Sequence, residues 1–165
     1  MTETFAIPCV GALIPRVVDS RPCLLLQERR KPNIGVEDGL LELPAGKLRE
    51  YENVFDALRR EVQEETGLTV TRIRGEGEGF VRGVLGYDIR TVTPYCVTQN
   101  LSGGYSILLS SFICEAAGEP CAQEGETAAP RWIPLQAVRQ KLEHRPEAFY
   151  PLHLGALHKY LEEHL

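Results

Sequence analysis

"GKLREYENVFDALRREVQEETGL", Gly46 to Leu68, is the stretch from which the rest of the chain can be read. Asn53 offers a side-chain acceptor to the first unbonded amides of a helix, and Asp56 puts a carboxylate in the first turn, where the dipole favours one. Gly67 supplies the left-handed stop. A helix from about Val54 to Thr66 follows. At ~100° per residue, Val54, Phe55, Leu58 and Val62 share one stripe, and Glu61, Glu64 and Glu65 fall within an arc of roughly 100° that borders this stripe. This is an uneasy place for three carboxylates. The pairs 61/64 and 61/65 are like charges at i+3 and i+4, and all three lie in the half of the helix where the dipole disfavours anions. The total cost is on the order of 1–2 kcal/mol, which a stable domain tolerates. Two readings stay open on helix physics alone: an acidic face turned to water, or a cluster of hard oxygen ligands of the kind Mg²⁺ or Mn²⁺ prefers, in which repulsion becomes shared attraction.

The flanks supply the fold class. Residues 4–15 and 22–29 are apolar and β-branched enough for strands, and "RRKPNIGVEDG" should be an irregular loop because it holds Pro32, Gly35 and Gly39. A short strand in "LLELPAG" leads into the quoted helix. Beyond it, "LTVTRI", "GFVRGVL", "YDIRTVTPYCVTQ" and "YSILLSSFICEA" read as strands, the last two joined through "NLSGG", and "RWIPL" as one more. The alternating glycines of "RGEGEGFVRG" read as bends or bulges on a strand rather than a phosphate-cradling loop, since no helix follows. "LQAVRQKLEH" and "PLHLGALHKYLEEHL" are helical by period. The expected fold class is α/β, a mixed β-sheet flanked by helices, in one domain spanning residues 1–165.

Composition narrows the function classes. A net charge of −5 argues against a nucleic-acid polymer or an acidic membrane as partner, because both recruit clustered cations. No apolar run reaches the ~20 residues that span a bilayer, and the N-terminus carries an acid where a signal peptide has bases, so the expected location is cytoplasmic. Five cysteines without a C-x-x-C pair suggest reduced, mostly buried thiols. The four histidines, His144, His153, His158 and His164, lack the i, i+4 spacing of a helical metal pair and read as surface residues of the terminal helices.

Read outward from the helix, Gly46, Glu52, Arg60, Glu61, Glu64, Glu65 and Gly67, with aliphatic Val62 and Leu68, resemble the Nudix box, G-x5-E-x7-R-E-U-x-E-E-x-G-U. Seven identities at residue frequencies near 7% coincide by chance about once in 10⁸ windows. The resemblance implies a Nudix-like α/β/α sandwich and a hydrolase that splits a diphosphate linkage with Mg²⁺ or Mn²⁺ and water. It further implies Glu61, Glu64 and Glu65 as metal ligands joined by the backbone carbonyl of Ala45, with Arg60 paired to Glu52 so as to orient the helix. Family members often recruit another acid from a loop before the late Trp strand; "QEGETAAPRW" offers Glu124 and Glu126, of which Glu126 is preferred as ligand or base.

Arg29, Arg30 and Lys31, with Arg82 and Arg90, are candidates for holding phosphates, and Phe80, Tyr87 and Tyr105 for stacking on a base. "LELPAGKL" resembles the box entry of ADP-ribose and nucleotide-sugar pyrophosphatases, which favours a nucleotide-type small-molecule substrate such as ADP-ribose or a nucleotide sugar. The proline such enzymes carry soon after the box is absent, the next being Pro94, so nucleoside triphosphates and dinucleoside polyphosphates stay open as substrates. A nucleotide-sensing module without turnover is the alternative of another class; the complete acid set disfavours it. Oligomeric state is open, with a homodimer among the expectations.

Overall fold

Two consecutive leucines buried on opposite faces of one strand show how the layers are built. The computed structural model describes residues 3–30, 35–122 and 127–165. In chain order these form strands β1 (Ile7–Leu13), β2 (Pro15–Val18), β3 (Arg21–Arg29), β4 (Leu41–Glu42) and β5 (Ala45–Lys47), then helix α1 (Val54–Thr66). Strands β6 (Thr69–Ile73), β7 (Phe80–Val84), β8 (Tyr87–Thr91), β9 (Cys96–Gln99), β10 (Ile107–Ala117) and β11 (Thr127–Pro134) follow, and helices α2 (Leu135–His144) and α3 (Leu154–His164) end the chain.

The strands pair as β5-β1-β10-β6, with β9 also on β10, and as β11-β3-β2, with β4 also on β3. β1 runs parallel to β10, and the other pairings are antiparallel, so the sheet is mixed. β1 and β3 are near-continuous apolar runs because both of their faces are covered. Leu24 and Leu26 pack with Val138 and Leu142 of α2 and Leu157 and Leu161 of α3. Leu25 faces the other way, onto Phe55, Leu58 and Val62 of α1. Leu13, on the α2/α3 side, and its neighbours Ala12 and Ile14, on the α1 side, repeat the alternation on β1. The result is the expected α/β/α sandwich.

Helix α1 starts and stops where its sequence says it should: Asn53 Oδ1 accepts from the Phe55 amide at 3.0 Å, and Gly67 adopts φ 73°. Three expectations are corrected. The single strand read through "YDIRTVTPYCVTQ" is two, β8 and β9, with Pro94, which has no amide to donate to a ladder, between them. Only the end of the glycine-rich stretch is on a strand: Gly75 takes φ 83° and opens a 3₁₀ turn over Glu76–Glu78, and β7 takes up its last residues, from Phe80 to Gly83. The last helix starts only at Leu154, after two 3₁₀ turns that open at Pro146 and Pro151, and this segment carries His153 into the interior, where it is 2% exposed.

Three of the five cysteines, Cys9, Cys23 and Cys114, are buried. No helix among the described residues is long and apolar enough to cross a membrane. Phe55, 2% exposed, meets Phe112 edge-on with ring centroids 5.6 Å apart. Phe55→Ala is expected to cost about 3–5 kcal/mol, read as a lower urea midpoint at unchanged slope.

Candidate active site

The site forms where α1 meets the edge strand β5. Ladder bonds from the Ala12 amide to the Pro44 carbonyl (2.9 Å) and from the Leu48 amide to the Pro8 carbonyl (3.0 Å) set the phase of β5 on β1. Ala45 therefore turns its amide and carbonyl away from β1, toward the open edge of the sheet. Its N–H donates to Glu65 Oε2 at 3.0 Å, and Gln27 Nε2 donates to the same oxygen at 2.8 Å. Glu65 is buried by this arrangement. Gly46 lies directly under Glu61: a Cβ built there would stand 2.0 Å from the Glu61 carboxyl carbon. Any side chain at position 46 would displace that carboxylate.

Arg60 organises the acids. Its Nε and Nη2 form a two-pronged bond to Glu52 at 2.7 and 2.9 Å, and Nη2 also donates to the Lys47 carbonyl at 3.2 Å. Nη1 reaches Glu61 at 2.5 Å and Glu64 at 3.2 Å. The hydrogen bonds from Arg60 hold the Glu52 carboxyl down to about 2, and the same bond to Glu52, with Glu61 next, raises Arg60 above its ordinary value. Glu61 is buried and Glu64 half-exposed, so the trio spans the boundary between core and water.

Beside these groups lies a cavity of about 510 Å³, within the range of small-molecule sites. Ala45, Gly46, Arg60, Glu61 and Glu64 line it, as do Lys47 and Arg49, which the sequence reading passed over. Arg29 also lines it, but its charge is engaged: Nη1 meets Glu42 at 2.9 Å, Nε meets Glu37 at 3.1 Å, and the guanidinium stacks 4.1 Å from the Tyr150 ring. Burial, the largest single influence on Arg29, would lower its pKa; the Glu42 charge and hydrogen bond, with Tyr150 and Glu37, together raise it. Glu52 and Glu65 stand behind the lining. Arg30 is tied to Asp38 at 2.9 Å and Glu28 at 3.3 Å and does not line the cavity. Arg82, Phe80 and Tyr87 lie on the exposed β7–β8 hairpin, also outside the lining, and Arg90 sits 5.0 Å from the Phe55 ring. Tyr105 does line it, 5.8 Å from Lys47 Nζ. Lys31, Glu124 and Glu126 fall outside the described residues.

The donors are the kind a hard divalent cation accepts: the Glu61, Glu64 and Glu65 carboxylates and a main-chain carbonyl at Ala45 that the β-ladder does not consume. Among the described residues no three acidic, histidine or cysteine side chains already converge on one point, and the Arg60 guanidinium lies among these acids, with Arg49 3.9 Å from Glu64. A cation held here would require Glu64, the exposed member, to turn inward.

A family model for the NUDIX domain matches residues 8–153. The chain belongs to the Nudix family. With the family's acid set complete, it is a hydrolase of the pyrophosphohydrolase kind. The chain is 26% identical to a MutT Nudix hydrolase from Burkholderia pseudomallei, over 86% of this chain and 99% of that one, with a TM-score of 0.57. The Nudix domain of Shewanella oneidensis NrtR, solved with ADP ribose, shares the fold at 17% identity and a TM-score of 0.67, over 98% of this chain and 90% of that one. A Caenorhabditis elegans Ap4A hydrolase does so at 14% identity and a TM-score of 0.56, over 96% and 97%. No curated protein matches the sequence.

Gly46→Ala should cost at least about a hundredfold in kcat with the melting temperature little changed, since it displaces the Glu61 carboxylate from the cavity surface without emptying the core. Glu52 titrates lower folded than unfolded, so its contribution to stability is complete above about pH 4.5 and is lost as pH falls toward about 2. Glu52→Gln should therefore remove about 1–2 kcal/mol of stability at pH 7, allowing for solvent screening, and flatten this acid limb in denaturation curves taken across that window.

Proposed function

We propose that the protein is a Mg²⁺-dependent hydrolase that cleaves the diphosphate linkage of a nucleoside diphosphate derivative, such as ADP-ribose or a nucleotide sugar, to a nucleoside monophosphate and a phosphorylated product. The observation that carries this reading is the cavity itself: buried and half-buried carboxylates on α1 share one lining with Lys47, Arg49 and Arg60. A diphosphate bridging such a surface meets side-chain cations directly, while the carboxylates hold the counter-charge a metal brings. Glu61, Glu64 and Glu65, with the Ala45 carbonyl, would hold the metal. When bound, the ion neutralises charge on the diphosphate oxygens and lowers the pKa of a coordinated water.

The chain's own residues do the rest. Gly46 leaves room for Glu61 at the cavity surface. The Arg60–Glu52 clamp fixes the turn of helix from which Glu61, Glu64 and Glu65 project, so that they are oriented before substrate arrives. Lys47, the last residue of β5, and Arg49, two residues on, line the cavity and would contact phosphate oxygens. A glutamate not engaged by the metal can take the proton of the attacking water, and Glu126 keeps its place as a candidate for that role. The protein acts in the cytoplasm on this reading.

The test is a panel of nucleotide substrates with Mg²⁺ in water enriched in ¹⁸O, products resolved by mass. The expected outcome is a nucleoside monophosphate and a phosphorylated partner, with the label on one of them. Glu61→Gln and Glu64→Gln should each lower kcat by at least about a hundredfold in a protein that still melts cooperatively. Turnover that persists in both variants, or that is indifferent to chelation of divalent ions, contradicts the proposal.

A further inference from the structure

The cavity has a second kind of surface that the diphosphate chemistry does not use. Beyond the acids, Lys47 and Arg49, its lining is formed by Cys9, Ile107, Leu109, Tyr150, Leu152 and His153, with the already paired Arg29 guanidinium stacked on the Tyr150 ring. Cys9, Leu109, Tyr150 and Leu152 are themselves a packed apolar cluster, so this wall is preformed. His153 is the exception within it. The side chain is 2% exposed, lines the cavity, and its Nδ1 has no hydrogen-bond partner among the described residues. A buried nitrogen left so is costly, and such groups call for an explanation.

The backbone holds the ring where it is. The strap from Phe149 to His153 docks on β4 through the Tyr150 amide, which donates to the Leu41 carbonyl at 2.8 Å, and the His153 amide donates to the Tyr150 carbonyl at 3.0 Å. The imidazole leans on the Tyr150 ring, centroids 5.6 Å apart, and Phe149 anchors the strap in the core. Burial first, and then the Arg29 charge, hold the His153 pKa down to about 3, so the ring is neutral at physiological pH and presents one N–H and one lone pair.

These features select a ligand class. A neutral ring in an apolar wall is no anchor for a phosphate, which needs charge or several N–H donors. A sugar would set a circle of hydroxyls against Ile107, Leu109 and Leu152, leaving them without partners. A nucleobase suits the wall: its faces are flat and apolar, and its edge alternates donors and acceptors that one neutral imidazole can meet. Resting on the function proposed above, we infer that His153 is the specificity-determining residue that contacts the base of the nucleotide, with Tyr150, Leu109 and Leu152 forming the surface the base lies against.

The experiment is calorimetric binding, with Mg²⁺ present, of the four common nucleoside 5′-monophosphates and of ribose 5-phosphate, none of which carries a phosphoanhydride to be turned over. The wild-type protein should bind its preferred nucleotide at least about tenfold more tightly than ribose 5-phosphate, in line with one good buried hydrogen bond plus base burial. His153→Leu should bring the nucleotides to within about threefold of one another while leaving ribose 5-phosphate unchanged. His153→Asn, whose amide reaches the Nδ1 position, should retain more of the preference than His153→Leu. If the leucine variant does not melt cooperatively, the asparagine variant decides by the same comparison. Overturning results are a wild-type protein that binds ribose 5-phosphate as tightly as every nucleotide, a His153→Leu protein with the wild-type ranking of bases, or an equal weakening of all ligands. Turnover is a separate readout: a protein that loses base preference with His153 yet hydrolyses no nucleotide refutes the activity, whereas an active hydrolase whose base ranking ignores His153 refutes only this inference.

Discussion

Helix α1 lies against the edge strand β5 at a distance that only a glycine permits, and the site depends on that approach. With no side chain at Gly46, the Glu61 carboxylate occupies the space above the strand. The same approach brings Ala45 N–H onto Glu65 and Arg60 onto the Lys47 carbonyl, so two polar contacts, with Glu61 seated over Gly46 between them, tie the helix to three consecutive strand residues. Main-chain geometry thus dictates where the carboxylates sit. The apolar stripe of Phe55, Leu58 and Val62 presses the helix down, and the polar contacts fix its rotation.

This docking explains how acids are tolerated in the wrong half of a helix dipole. No basic residue lies in the last turn of α1 to offset them. Instead the compensation is tertiary. Arg60 is shared among Glu52, Glu61 and Glu64, and Glu65 accepts from two neutral donors. Each charge-assisted bond contributes about 1.5–3 kcal/mol, more than the few tenths that each like-charge pair costs, so the folded protein can hold the cluster before any cation arrives. The arrangement is stable and electrostatically primed together.

How much of this could be read from the residues depends on the range of the contacts involved. The limits of α1 were legible because caps and period are local, and the nearness of Glu61 and Glu65 to the core followed from the angular position of their Cα atoms beside Val62. The layered fold was legible in the doubly covered runs of β1 and β3. The break at Pro94 was in plain view, yet the β-rich residues around it outweighed one missing amide. Lys47 and Arg49 were unremarkable loop cations until β5 set them beside the acids. Arg29 looked available for phosphate, but Glu42 and Glu37 already engage it. His153 was least legible of all: in a helical period it reads as a surface residue, and only the bridge between Leu41 and Phe149, remote in sequence, turns the strap inward. Arg82 illustrates the converse, a cation on a strand whose hairpin stands apart from the cavity.

The central claim is that the carboxylates of α1, arranged by β5, bind a divalent cation. Direct titration of Mn²⁺, followed by the loss of its free electron-paramagnetic signal, tests this without reference to any substrate. The account predicts saturable binding by the wild-type protein and at least about tenfold weaker binding by a Glu61→Gln, Glu64→Gln double variant that still melts cooperatively. Equal binding by both proteins, or none by the wild type even with a nucleotide present, would contradict it.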